Sequence, residues 1–239
     1  GHVVEDWSDG TLKIRHEGAS LVEALPYDVM ISGHGGKGVS VLRLWRASAP
    51  ASFDMKSFTQ GDYFAAMRGD NEAELISKVL YPSDDHFEGK QLRLSQQYFL
   101  VSASLQSIIK DHLKRNPSLD NLAEKAAIHI NDTHPALAVP ELMRLLMDEY
   151  GFAWEKAWDI TVNTIAYTNH TVMSEALEKW SEDLVRMRLP RIYSILKEID
   201  ARFYGEHRDC TPEQLSRMFI IGNGQVRMAN LAVIGSHSI

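Results

Sequence analysis

Apolar and polar positions change rhythm several times along this chain. Over residues 1–47 short runs alternate with a period of two, as in TLKIR (11–15) and SVLRLWR (40–46), and Gly and Asp turns separate them. That pattern predicts β structure. From 58 to 80 the spacing becomes helical in FTQGDYFAAMRGDNEAELISKVL, with an interruption expected at Gly69-Asp70. YPSDDHFEGK (81–90) reads as a polar loop bracketed by aromatics. Residues 92–112 return to helix, with Leu94, Tyr98, Val101, Leu105 and Ile109 along one face. Residues 122–130 close on a short apolar run suited to a buried strand. Helices are expected over 140–150 and 154–163. The pattern breaks over 166–170 and resumes as helix over 173–180. A last helix opens at Pro190, which a first turn tolerates, and runs to about residue 204. Strands alternating with helices indicate an α/β domain with a parallel sheet.

Composition narrows the class. The chain has 239 residues, 44% hydrophobic and 24% charged, as in a soluble globular protein with a sizeable core. Its formal net charge of -7 argues against non-specific nucleic-acid binding, which needs a basic surface. The single cysteine, Cys210, excludes an internal disulfide framework and points to a reducing, cytoplasmic setting. No apolar stretch approaches the roughly 18 residues of a membrane span, and no secretory signal is visible. The chain opens on GHVV and closes on NLAVIGSHSI, both apolar. Ordinary termini are polar, so both ends read as cuts through a larger protein. Such a piece is expected to expose apolar surface and to associate.

Three polar seams hold the candidate chemistry. In INDTHP (130–135) an apolar run stops at Asn131, Asp132, Thr133 and His134, where strand is expected to meet helix. In open α/β sheets ligands bind beyond the carboxyl ends of strands. Capping by Asn131, Asp132 or Thr133, with Pro135 in the first turn, explains one or two of these residues. It leaves His134 without a role. The second seam, AYTNHTVMSEALEKW (166–180), interrupts a helical pattern at Asn169, His170 and Thr171, and places Glu175 and Glu178 three apart on one helix face. The third is the 81–90 loop. Its adjacent Asp84 and Asp85, with His86 and flanking aromatics, suit a hydroxyl-rich ligand or a solvated acidic loop. Metal binding by His129, Asp132 and His134 is disfavoured, because 129 and 134 point to opposite faces of a strand and the set lacks a zincin's helical pair. SGHGGKGVS (32–40) fails the Walker pattern and reads as a glycine-rich hairpin loop. No nucleophile elbow is present.

LRLWRASAP (42–50), LYPSDDHFEGKQLRLSQQYF (80–99), INDTHPALAVPELMRLL (130–146) and AYTNHTVMSEALEKW, extended by Pro190-Arg191 and MANLAVIGSHSI, resemble successive signature segments of the α-glucan phosphorylases. These are the glycogen, starch and maltodextrin phosphorylases, and the resemblance covers essentially the whole chain in order. It implies a two-domain GT-B glycosyltransferase with its active site between two Rossmann-like domains. The implied reaction is phosphorolysis: inorganic phosphate cleaves a terminal α-1,4 bond of a glucan to give glucose 1-phosphate. Pyridoxal phosphate would assist through its phosphate group.

Carried over by position, Asp132, Thr133 and His134 match the segment lining the glucose pocket. His170 matches a histidine whose backbone carbonyl holds a glucose hydroxyl, with Thr171 beside it, and Glu178 matches a pocket carboxylate. Asp84, Asp85 and His86 match a mobile gate loop. Arg43 and Arg93 match core-segment arginines. Residues 57–79 match a dimer-contact helix, so a homodimer is expected. The implied division is a β-rich segment (1–56), that helix, a gate loop (80–91) and an α/β part (92–239). Asp85 and His86 depart from the animal pattern of Asn and an aromatic; the first change alters a sugar-hydroxyl contact, and the second puts an aromatic stacking site at the pocket entrance in doubt. Ser194 and Lys197 stand where animal enzymes have a glycogen-storage site, so that accessory site is expected to be absent. By the same resemblance the cofactor lysine lies in a C-terminal domain outside these residues. This chain is therefore expected to be the sugar-binding part, with no cofactor, metal or catalytic residue of its own, and inactive alone. The alternative is a non-catalytic glycan-binding or interaction module.

Overall fold

The structure is a computed structural model, and it describes residues 2–6, 13–50, 54–171, 173, 175 and 177–239. The chain divides into two compact units, Ser20–Ala103 and, together, Gly1–Ala19 with Ser104–Ile239.

In the first unit, β3 (Glu23–Ser32) and β4 (Val39–Ser48) form an antiparallel ribbon paired from Glu23↔Ser48 to Ser32↔Val39. These follow β1 (His2–Asp6) and β2 (Lys13–Glu17) of the other unit. The glycine-rich loop closes the ribbon as expected. The Gly33 N–H donates to the Gly38 carbonyl at 2.8 Å, and Gly35 and Gly36 take the positive φ that the tight turn requires. Arg43 lies directly across from Asp28 and grips it at two points, both 2.7 Å. Apolar side chains of the ribbon, including Val29, Ile31, Val41, Leu42 and Leu44, stay about half exposed, as expected of apolar surface on this chain.

Two helices follow, α1 (Met55–Thr59) and α2 (Tyr63–Lys78). The interruption falls at Gln60-Gly61-Asp62, not at Gly69-Asp70. Gly61 has φ +84, and the Asp62 carboxylate accepts the Ala65 N–H to start the new helix. Gly69 stays helical at the modest cost a helix interior charges for glycine. α3 (Phe87–Leu113) begins five residues before the expected 92. Leu94, Val101, Leu105 and Ile109 of its expected inner face are buried. The 81–90 loop is thus shorter than its sequence suggests, ending at His86.

The second unit holds a parallel βαβ arrangement. After α4 (Leu122–Lys125), β5 (Ile128–Asn131) runs into α5 (Ala138–Arg144), a π-helical turn over Leu145–Glu149, α6 (Trp154–Thr164) and β6 (Ile165–Thr168). β5 and β6 pair in parallel, Ile128↔Ile165 through Asn131↔Thr168. The break expected at 166–170 is therefore strand as far as Thr168, with Asn169 and His170 beyond its end. Bonds from the His237 N–H to the Ile165 carbonyl (3.0 Å) and from the Tyr167 N–H to the Ser238 carbonyl (2.9 Å) line the other edge of β6. The helix expected over 173–180 is also corrected. The described residues there contain no α-helix, and β7 (Lys179–Ser181) begins instead, so Glu175 and Glu178 do not share a helix face.

α7 (Glu182–Arg188), α8 (Pro190–Glu206) and α9 (Pro212–Met218) follow, then β8 (Ile221–Gly222), β9 (Gln225–Arg227) and α10 (Met228–Ile234). β9 pairs antiparallel with both β7 and β8. The core of this unit is made by side chains such as Leu142, Leu146, Ile160, Ile195 and Leu231, all essentially inaccessible. Mixed α/β architecture is what the alternating sequence rhythm indicated; parallel pairing is confined to β5 and β6, and the other described sheets are antiparallel. Among the described residues no helix is long and apolar enough to cross a membrane.

Candidate functional site

The seam at the carboxyl ends of β5 and β6 is built by backbone first. β5 ends at Asn131, and Asp132 turns into the left-handed region at φ +70, a conformation uncommon outside glycine but tolerated by aspartate. Its N–H still donates to the Thr168 carbonyl at 2.8 Å, so Asp132 is fixed beside the end of β6. The Asp132 carboxylate accepts the Thr133 N–H at 2.7 Å, and Thr133 is buried. Tight turns follow, with the Ala136 N–H on Thr133 O and the Ala138 N–H on Pro135 O. α5 starts only after Leu137 and takes no side-chain cap. The capping reading of Asn131, Asp132 and Thr133 is therefore corrected: several turn residues separate them from the helix.

His134 projects from these turns toward Glu178, with Nδ1 4.0 Å from Oε1. The imidazole side chain is 44% exposed and the carboxylate 11%. Glu178 is anchored by its backbone carbonyl, which accepts the Met228 N–H at 3.1 Å. A half-open ring beside a nearly covered carboxylate offers both a switchable donor and an acceptor to something arriving from solvent.

On one face of the strand pair four polar side chains interlock. His129 Nε2 meets Thr168 Oγ1 and His170 Nε2 meets Asn131 Oδ1, each at 2.5 Å. Beyond β6 the chain is turned by Asn169, whose amide donates to the Thr171 carbonyl, and by the Met173 N–H on Thr171 Oγ1 at 3.2 Å. The structure thus gathers Asp132, Thr133, His134, His170, Thr171 and Glu178 within one unit around one strand pair. Asn131, read from the sequence as a seam or capping residue, instead orients His170 from 39 positions away. Tyr167 was not singled out in the sequence; buried in β6, it feels the Asp132 charge, and burial and then that carboxylate raise its phenol pKa above the ordinary value.

Asp84 and Asp85 belong to the other unit. There Arg93 fastens the 81–86 loop: Nη1 lies 3.0 Å from Asp84, and the guanidinium stands 5.8 Å from the centre of the Tyr81 ring. Asp85 accepts from Ser83 Oγ at 2.8 Å. The loop lies so close to the start of α3 that a Cβ on Gly89 would come 1.8 Å from the Ser83 carbonyl oxygen, which only glycine avoids. Lys197 lines an open pocket of about 420 Å³ with Glu182, Asp200, Tyr204, Phe219 and Ile221. Burial pushes the Asp200 carboxyl pKa up although it accepts the Ile220 N–H at 2.7 Å.

The chemistry follows from the donor set. Carboxylates, imidazoles, amides and hydroxyls match a neutral ligand rich in hydroxyl groups. A phosphate monoester such as pyridoxal phosphate asks for arginine, lysine or a row of backbone N–H groups. The side chains of the seam include two carboxylates, so it does not fit that group. Among the described residues no cluster of three or more His, Cys, Asp or Glu could hold a metal ion.

The family profile described as Carbohydrate phosphorylase matches residues 1–239. A glycogen phosphorylase of Synechocystis is 47% identical over 247 aligned positions, and one of Bacillus subtilis 48% over 241, each across 100% of this chain. The muscle form of Homo sapiens is 46% identical across 92% of it. The chain spans only 28–29% of the length of these relatives.

Proposed function

This chain belongs to the carbohydrate phosphorylase family, and we propose that it is part of a longer α-glucan phosphorylase whose sugar-binding half is the β5–β6 seam. The observation that carries this reading is the seam's geometry. Asp132 is held at a strained φ by a ladder bond to Thr168, while His134 and Glu178 stand 4.0 Å apart beyond it. Backbone strain of this kind costs on the order of 1–3 kcal/mol and persists where the surroundings over-determine it, often at binding sites.

In the proposed enzyme, Asp132 and Glu178 accept from sugar hydroxyls, His134 donates or accepts as its tautomer requires, and the His170 carbonyl, with Thr171, orients the ring. For the Asp84-Asp85 loop, latched through Arg93, the role of a substrate gate rests on the family resemblance alone. Substrates are an α-1,4-glucan and inorganic phosphate, and the product is glucose 1-phosphate. Pyridoxal phosphate, when bound, supplies acid–base chemistry through its phosphate; its lysine lies in another part of the polypeptide. The architecture proposed for the whole is GT-B, with α2 at a homodimer contact in the cytoplasm. The half-exposed ribbon apolar groups support covering by further protein.

The test is phosphorolysis by the longer polypeptide that carries this chain. Glucose 1-phosphate is expected from glucan and phosphate together, and none from residues 1–239 alone. Absence of phosphate-dependent product from the longer polypeptide, or turnover by residues 1–239 alone, contradicts the reading.

A further inference from the structure

Tyr167 stands across from Ile130 in the parallel register, one residue before Thr168, whose carbonyl takes the Asp132 N–H at 2.8 Å. Strand alternation puts its side chain on the face opposite His129, Asn131, Thr168 and His170. The side chain is 2% exposed, and its hydroxyl meets no hydrogen-bond partner among the described residues. Buried phenols ordinarily find an acceptor, and a buried donor left unmade is costly. The strongest acceptor class is a carboxylate. Asp132 offers one: Oδ1 takes the Thr133 N–H, and a carboxylate accepts several donors. Its charge acts on this phenol, second to burial.

We propose that Tyr167 is a positioning residue of the seam, its hydroxyl donating to the Asp132 carboxylate through a single buried bridging water. Held so, the carboxylate keeps one direction toward the ligand and does not swing onto the Thr133 N–H alone. The idea rests on the sugar-site reading above, and its tests separate the two.

In the longer enzyme, Tyr167→Phe keeps the ring and its packing. It raises KM for glucan about three- to tenfold, the range of one neutral hydrogen bond, with the loss falling on KM and not on kcat. The double variant Tyr167→Phe/Asp132→Asn is then no worse than Asp132→Asn alone, because both remove one link. Additive losses overturn the proposal. A second readout needs no activity. With ring-labelled tyrosine followed by NMR, the Tyr167 phenol of the longer enzyme titrates at lower pH in Asp132→Asn than in the unaltered enzyme. Identical titrations overturn the link even if the enzyme works. Loss of the titration difference indicts Tyr167; absence of phosphorolysis with the difference intact indicts the function.

Discussion

Arg191, at the start of α8, closes a two-point bond on Asp148 of the π-helical turn, Nε to Oδ2 at 2.8 Å and Nη2 to Oδ1 at 2.7 Å. The side chains are 12% and 7% exposed. Removing one member of a buried pair strands the other charge, at a cost of about 3–5 kcal/mol. Arg191→Met should lower stability to urea by that order, and the pair Arg191→Met/Asp148→Leu should recover most of it; a single variant as stable as the parent would show that the pair contributes little. At this scale the sequence was legible where chemistry is local. Asp132 and His134 stand out because polar residues halt an apolar run. The Asn131–His170 bond and the burial of Tyr167 were not legible, since each depends on a register between segments 39 or 37 positions apart.

α10 ends against α5. A Cβ on Gly235 would lie 2.5 Å from both γ-methyls of Val139, a stiff β-branched side chain with nowhere to turn. Gly235→Ala should destabilise by about 1–3 kcal/mol through overpacking, and Val139→Ala in the same chain should relieve it. Thermal melting of the single and double variants decides; no relief in the double variant would refute the steric cause. Element types were readable where periodicity was long, as in α3 and α8, and unreadable where elements abut. β6 follows α6 with no Gly or Pro between Thr164 and Ile165, so four residues of strand look like a faltering helix. The 173–180 segment carries helical spacing by composition, yet Lys179 to Ser181 pair with β9, and that ladder overrides local propensity. The α1–α2 break was misplaced because Gly61 and Gly69 look alike in sequence; only the positive φ of Gly61 distinguishes them.

For the whole molecule, an α/β chain of 239 residues matches its family along its full length but spans under a third of its relatives. The family was readable from several long segments in register, far more information than any seam held alone. Architecture beyond mixed α/β was not, because an isolated strand pair does not reveal the sheet it belongs to. In the proposed enzyme the seam of Asp132, Thr133, His134, His170 and Glu178 receives a sugar. A crystal structure of the longer protein with glucose bound tests this. Glucose hydroxyls are expected at hydrogen-bond distance, about 3 Å, from Asp132 or His134 and from the His170 carbonyl. Glucose seated elsewhere, with none of these groups in contact, would contradict it.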